Sequence, residues 1–181
     1  MHRHFPDSRG QRGVSMVELA LILPILLILV FGVIDFGRAI HYNNVIVNMS
    51  REGANLAARA SGLPKQNIIV ALVETAEPLA MKTEGMVYIT EVTGRADGSA
   101  QVEAQFRATS GDSGLVSQTW TCPSWGAGGV CNVPNPRPII NLGVNLLPTD
   151  RVFAVEVMYD YQILLDYVMK VGPKLYSRTI L

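Results

Sequence analysis

Three groups of residues have the types and spacing for chemistry. Gly13 ends a charged head, and Glu18 is the one charge in the apolar run Val14 to Ile34. Cleavage after Gly13 would create an α-ammonium on Val14, four residues before Glu18. An α-ammonium can neutralise a carboxylate in low dielectric, within one chain or between neighbouring subunits. An acidic side chain inside a bilayer otherwise costs on the order of 2.5–3.5 kcal/mol, less near its edge, so a partner for Glu18 is expected. The plainer reading makes Gly13 a flexible joint and Glu18 an edge residue reaching the headgroups. Cys122 and Cys131 enclose eight residues. They lack nearby His for zinc and the spacing of a CxxC redox pair, so a disulfide is expected if the segment is exported. Gly111-Asp112-Ser113-Gly114 is a fragment of a serine-protease nucleophile loop, but a triad needs a His base. After Val14 the chain has only His41, near the membrane end of a helix, so the fragment reads as a turn.

The elements that position these groups begin with the apolar run. Val14 to Ile34 is twenty-one residues, and at 1.5 Å per residue a helix of that length is about 31 Å long, enough to cross a hydrocarbon core. Pro24 and Gly32 are tolerated in membrane spans, and Pro24 should bend this one. A cleaved secretory signal fits poorly, because the run is too long and Asp35-Phe36-Gly37-Arg38 follows where a small-residue site would stand. Arg3, Arg9 and Arg12 against Asp7 give the head Met1–Gly13 a net charge of +2. The positive-inside rule then keeps the head cytoplasmic and exports the rest.

Beyond the span, His41 to Ala60 reads as a continuation of the helix, with Val45, Met49, Glu52 and Leu56 as its inner stripe. Asn48-Met49-Ser50 matches a glycosylation sequon, but within a helix it carries little weight. Gly62 and Pro64 stop the helix. Lys65 to Thr83 is expected to be a second helix with Ile69, Leu72, Ala76 and Leu79 on one face and Pro78 ending or kinking it near its last turn. Met86 to Thr93 and Ala100 to Ala108 are expected to form a hairpin around the turn residues Gly94 to Ser99. Its second strand should carry Val102, Ala104, Phe106 and Ala108 on one face and a wet face of Gln101, Glu103, Gln105 and Arg107. Ser110 to Pro138 is a long loop, functional or disulfide-pinned. Arg151 to Tyr161 is a strand with Phe153, Val155, Val157 and Tyr159 on one face, and Leu175 to Leu181 supplies a last strand. The expected class is α+β: a leader over 1–13, a transmembrane helix over 14–36, its continuation over 37–62, and an exported domain with a small antiparallel sheet over 63–181.

Composition narrows the function. Fifteen Lys+Arg balance fifteen Asp+Glu in 181 residues, without the basic excess of a phosphate-tracking nucleic-acid binder. The mean hydropathy of +0.24 is high because of the one apolar segment. No Gly-rich phosphate loop follows a strand, and neither a cofactor, a metal, a nucleic acid nor a small-molecule substrate is expected. Trp120 and Trp125 flank Cys122 and either anchor a partner or cover the small core. Arg51 and Glu52 offer a charged patch above the membrane that either pairs subunits or is simply solvated.

The stretch Arg12-Gly13 through Val17-Glu18-Leu19-Ala20-Leu21-Ile22-Leu23-Pro24 to Phe31-Gly32-Val33-Ile34-Asp35-Phe36-Gly37-Arg38 resembles the N-terminus of the TadE-like family, minor pilin-like (pseudopilin) proteins of the tight-adherence (Tad, Flp) type IV pilus machinery. Ser50-Arg51-Glu52-Gly53-Ala54, Val155 to Tyr161 and Leu175-Tyr176-Ser177-Arg178 are similar to that family too, while Leu63 to Asp150 is carried mainly by length and architecture. Leu19 departs mildly from the Phe common after the Glu, and Glu18-Leu19 with a large domain argues against a short major pilin. The resemblance implies a non-enzymatic assembly protein, processed by a prepilin peptidase, that works with sibling minor pilins and the inner-membrane platform to initiate or cap a pilus for adherence. It would be single-pass in the inner membrane and in contact with lipid, its N-terminus cytoplasmic and its C-terminal domain periplasmic. The competing readings are an anchored periplasmic binding module with the Trp-Cys loop as its contact and, for want of residues, least of all an anchored enzyme.

Overall fold

The computed structural model describes residues 9–59, 62–164 and 172–181. Met1–Ser8 of the expected leader lie outside the described residues, as do positions 60, 61 and 165–171. The α+β expectation is borne out: one long N-terminal helix is followed by two short helices and an antiparallel five-stranded sheet. Helix α1 spans Arg9–Arg59 and runs through Pro24. Every residue from Val14 to Ile34 is exposed on the isolated chain, and the most apolar eighteen-residue window has a mean hydropathy of 2.9 with none of it buried. That half of α1 is long and apolar enough to be a single-pass membrane anchor.

From Asp35 onward the same helix packs on the sheet. Its inner stripe is Ile46, Met49, Ser50, Gly53, Ala54 and Ala57, all buried, whereas the expected Val45 and Leu56 are half-buried and Glu52 is exposed. The stripe is thus rotated by about one residue, because small residues let the backbone approach the sheet. A Cβ on Gly53 would lie 2.8 Å from Leu72 Cδ1 and 3.0 Å from Val155 Cγ1.

The second helix is shorter than expected. α2 covers Lys65–Glu74, and a one-turn α3 follows at Met81–Glu84. Pro78, preceded by a cis peptide, lacks the N–H that a continuing helix needs, so the helix ends before it rather than kinking in its last turn. The expected apolar face survives all the same, since Ile69, Leu72, Ala76 and Leu79 are all buried.

Strands β1 (Gly85–Gly94), β2 (Ala100–Arg107), β3 (Ile139–Ile140), β4 (Arg151–Asp160) and β5 (Lys174–Ile180) lie in the order β3-β2-β1-β4-β5. The β1–β2 turn follows its chemistry. Asp97 Oδ1 accepts the Ser99 N–H at 3.0 Å, and Gly98 takes φ +78°. The wet face expected on β2 is overturned. Glu91 opposes Ala104 and Val92 opposes Val102, so Glu103 is an extra residue in a bulge that reverses the alternation. Val102 and Gln105 therefore share one face, and both are fully buried. Both faces of the sheet are covered: α1 and α2 lie on Val87, Ile89, Val155 and Val157, and the long loop from Ser110 lies on Thr90, Gln105 and Glu156. A smaller second core, Val92, Ala100, Val102 and Leu142, closes the end of the sheet remote from Asp35.

Candidate functional site

Val14 and Glu18, the residues expected from the sequence to serve cleavage and assembly, lie on the free half of α1. Val14 and Glu18 are one helical turn apart on the same side and exposed, with 60% of Val14 accessible. The apolar half of α1 ends in a cluster that reaches across the chain. Asp35 is buried at 8% exposure, and both of its carboxylate oxygens accept the Leu164 N–H at 3.0 Å. The Tyr161 hydroxyl lies 3.1 Å from the Asp35 backbone oxygen and 3.2 Å from its Oδ1. Arg38 Nη1 stands 3.6 Å from the same Oδ1, and its guanidinium lies 5.7 Å from the ring centroids of Tyr42 and Tyr161. Tyr42 meets Tyr159 and Tyr161 edge-on, at 5.7 and 5.4 Å. Ser50 continues the seam, 2.8 Å from the Ser177 hydroxyl and 3.0 Å from that of Thr179. Helix α1 and the two C-terminal strands are in this way joined at polar contacts and held by apolar packing between them. Each of these residues was visible as a type in the sequence. Their meeting was not, because Asp35 and Tyr161 are 126 positions apart.

Arg51 and Glu52 lie on the outer face of α1, exposed, and make no ion pair among the described residues. The patch is solvated in the isolated chain.

On the opposite face of the sheet the long loop wraps a buried acid. Glu156 is fully buried. Its Oε1 accepts the N–H groups of Gln118 at 2.9 Å and Thr119 at 3.0 Å and the Tyr176 hydroxyl at 2.9 Å, while Oε2 accepts the Ser117 hydroxyl. Gln105 Nε2 lies 3.0 Å from Thr90 Oγ1, 3.1 Å from Ser117 Oγ and 2.8 Å from the Trp120 carbonyl. A carboxylate has acceptors for all four donors, which explains an acid in the middle of a buried strand. Burial first, then the neighbouring Glu156 charge, pushes the Tyr176 hydroxyl well above its ordinary pKa, so it stays protonated and able to donate. Sequence reading missed this network, and its only signal was a lone Glu between Val155 and Val157.

Cys122 and Cys131 form a disulfide with Cα atoms 6.0 Å apart. The bridge holds the loop against β2, where the Cys131 N–H donates to the Gln105 carbonyl at 2.9 Å. Both Trp residues make contacts within the chain. Trp120 packs on the smaller core, and Trp125 packs on Tyr88 at 5.9 Å with the Arg107 guanidinium over its ring at 4.5 Å. Both remain half-buried. A cleft of about 150 Å³ remains between Trp125, Arg107, Tyr88 and Cys122. The Gly111–Gly114 segment is a turn, with Asp112 Oδ1 accepting the Gly114 N–H at 2.8 Å. Among the described residues no group of His, Cys, Asp and Glu is placed to hold a metal.

Removing the bridge has a predictable size. A ten-residue closed loop is worth roughly 2.7 kcal/mol by chain entropy. Cys122→Ser is expected to lower the unfolding free energy by about 2–3 kcal/mol, read from urea denaturation of the full chain in detergent, with the two thiols unreactive to maleimide in the native wild type.

The sites expected from the sequence therefore fall in three separate places: the free end of α1, its outer face above the anchor, and the loop-covered face of the sheet. Comparison with known proteins bears on the first two. The family model described as TadE-like protein matches residues 13–55, from Gly13 through the Arg51-Glu52-Gly53-Ala54 block. This bears out the resemblance drawn from those residues, and the rest of the chain lies outside the match. No curated protein and no solved structure matches the chain.

Proposed function

We propose that this chain, TadE-like over residues 13–55, is a membrane-anchored assembly protein of a Tad (Flp) pilus. The match carries the reading, since it spans the charged-to-apolar junction, the apolar helix and the first turns that pack on the sheet. The geometry agrees with it. Among the described residues Val14 to Ile34 has no apolar partner, whereas Asp35 to Ala57 is fixed to the folded domain. A prepilin peptidase removes residues 1–13 after Gly13, and the new ammonium at Val14 pairs with Glu18. The helix over 14–36 holds the subunit in the inner membrane as a single span, with residues 37–62 and the domain over 63–181 in the periplasm. Side-by-side packing of such helices, eased by Ala20 and Gly32, delivers the subunit with sibling minor pilin-like proteins to the assembly platform. There it helps to initiate or cap the filament used for adherence.

The alternative, an anchored binding module outside any filament, needs the Trp-Cys loop as its contact. Trp120 and Trp125 are turned partly inward, which leaves that loop less surface to offer. Deleting the encoding gene separates the two readings. Loss of surface pili, restored by the full chain and not by residues 37–181 alone, is expected for an assembly protein. Normal piliation with loss of another surface property is expected for a binding module.

A further inference from the structure

The two edges of the sheet are treated differently. On one side β3 is two residues long, and the loop covers β2 through the Phe106–Val130 bridge and the bond from the Cys131 N–H to the Gln105 carbonyl. On the other side β5 keeps an unbroken register with β4 from Lys174 to Ile180, without a bulge or a proline. Among the described residues no strand pairs with its outer edge. Proteins usually blunt such an edge, because its row of free N–H and C=O groups templates another strand.

The register identifies which groups are free. Phe153 and Leu181 exchange both backbone bonds, and the Tyr161 N–H donates to the Pro173 carbonyl. Odd-numbered residues of β5 therefore bond to β4. Lys174, Tyr176, Arg178 and Ile180 turn their backbone groups outward. On the same strand face, Lys174 and Arg178 are exposed and make no ion pair among the described residues.

We propose that the outer edge of β5 is a strand-addition site for an extended segment of a different subunit, with carboxylates at two positions four residues apart. Antiparallel addition places those carboxylates opposite Lys174 and Arg178, so the backbone supplies the ladder and the two cations set its register. A second copy of this chain does not fit. β4 runs toward Asp35, where α1 leaves the anchor, so β5 runs away from it. A two-fold axis pairing β5 with β5 antiparallel would point the two α1 helices in opposite directions, and both could not enter one membrane. The choice of a different chain thus rests on reading α1 as an anchor, while the edge chemistry does not.

The test uses the full chain in nanodiscs and the peptide Thr-Glu-Val-Thr-Val-Glu-Val-Thr, with amide exchange followed by NMR. The peptide is expected to slow exchange at Lys174, Tyr176 and Arg178 by about tenfold, and less at high salt. The same peptide N-methylated at the residues facing the edge should give no protection. Arg178→Pro removes an outward donor while sparing the β4 ladder, and should abolish the effect. Should that variant misfold, Lys174→Glu combined with Arg178→Glu should reject this peptide and accept one with Lys in place of Glu. Unchanged exchange with the peptide, or equal protection by the N-methylated form, overturns the proposal. Concentration-dependent self-association lost in Arg178→Pro makes a second copy the occupant and overturns the choice of partner. If the chain fails to enter bilayers yet the peptide protects β5 in detergent, the anchor reading and the choice of a different chain fall, and the edge site stands.

Discussion

Glu156→Gln is expected to destabilise the folded domain by about 3 kcal/mol, among the largest effects available from a near-isosteric change. The carboxylate accepts from Ser117, the N–H groups of Gln118 and Thr119, and Tyr176 while fully buried. Glutamine replaces one acceptor oxygen with an NH₂. If the NH₂ takes the Oε1 position it faces two backbone N–H donors that cannot rotate away. If it takes the Oε2 position it faces Ser117, whose hydroxyl already accepts from Gln105 Nε2 and the Trp120 N–H and then loses its own acceptor. The first arrangement leaves three buried donors unpaired and the second leaves one, the Ser117 hydroxyl, and both remove the charge from the remaining bonds, so the structure adopts the second at a reduced stability. Because three of these donors, Ser117, Gln118 and Thr119, lie in the loop over the sheet, its ordering should weaken with the global fold. Urea denaturation of the full chain in detergent reads the first effect, and tryptophan emission from Trp120 and Trp125 reads the second. A change below about 1 kcal/mol would show that the network is not a main support of the fold.

Glu18→Ala acts on the other end of the molecule and in the opposite sense. Glu18 is exposed on the free half of α1, with the folded domain beginning to pack only at Asp35. The substitution removes a carboxylate from the apolar span and favours membrane insertion, by on the order of 2.5 kcal/mol at the bilayer centre and less near its edge. It should therefore leave the domain's unfolding midpoint unchanged and the chain firmly in the membrane. Assembly is expected to fall all the same, because under the proposed function the α-ammonium of Val14 would lose its partner carboxylate. Pilus counts should fall by about tenfold or more, corresponding to roughly 1.4 kcal/mol of lost pairing. Glu18→Asp, which keeps the charge on a shorter stem, should restore part of the count. Normal piliation in Glu18→Ala would leave Glu18 without a role in assembly.

These two residues also mark what the sequence made legible. Glu18 stood out because a charge in an apolar helix is an anomaly of composition, detectable without knowing any contact. The anchor, the β1–β2 turn and the strands β1, β2, β4 and β5 were legible for the same reason, since hydropathy, period and turn chemistry are local. Glu156 was not legible as a site, because its donors come from positions 117–119 and 176, which only the folded loop and β5 bring to it. Gln105 was misassigned to solvent because a single extra residue, Glu103, reverses a period-two pattern and leaves no trace in residue types. The early end of α2 shows a local signal, Pro78, whose reach was underestimated by a turn. The junction of Asp35 with Tyr161 lies at the far limit, where two separately recognisable ends of the chain meet across 126 positions.

The account stands or falls on the residue that begins the mature chain. Intact-protein mass spectrometry of the membrane-extracted protein, from cells with and without the prepilin peptidase, measures it directly. The predicted result is a chain beginning at Val14 when the peptidase is present and one retaining Met1–Gly13 when it is absent. A chain that keeps Met1–Gly13 in both, or that begins after Gly37, would contradict the assignment to pilus assembly.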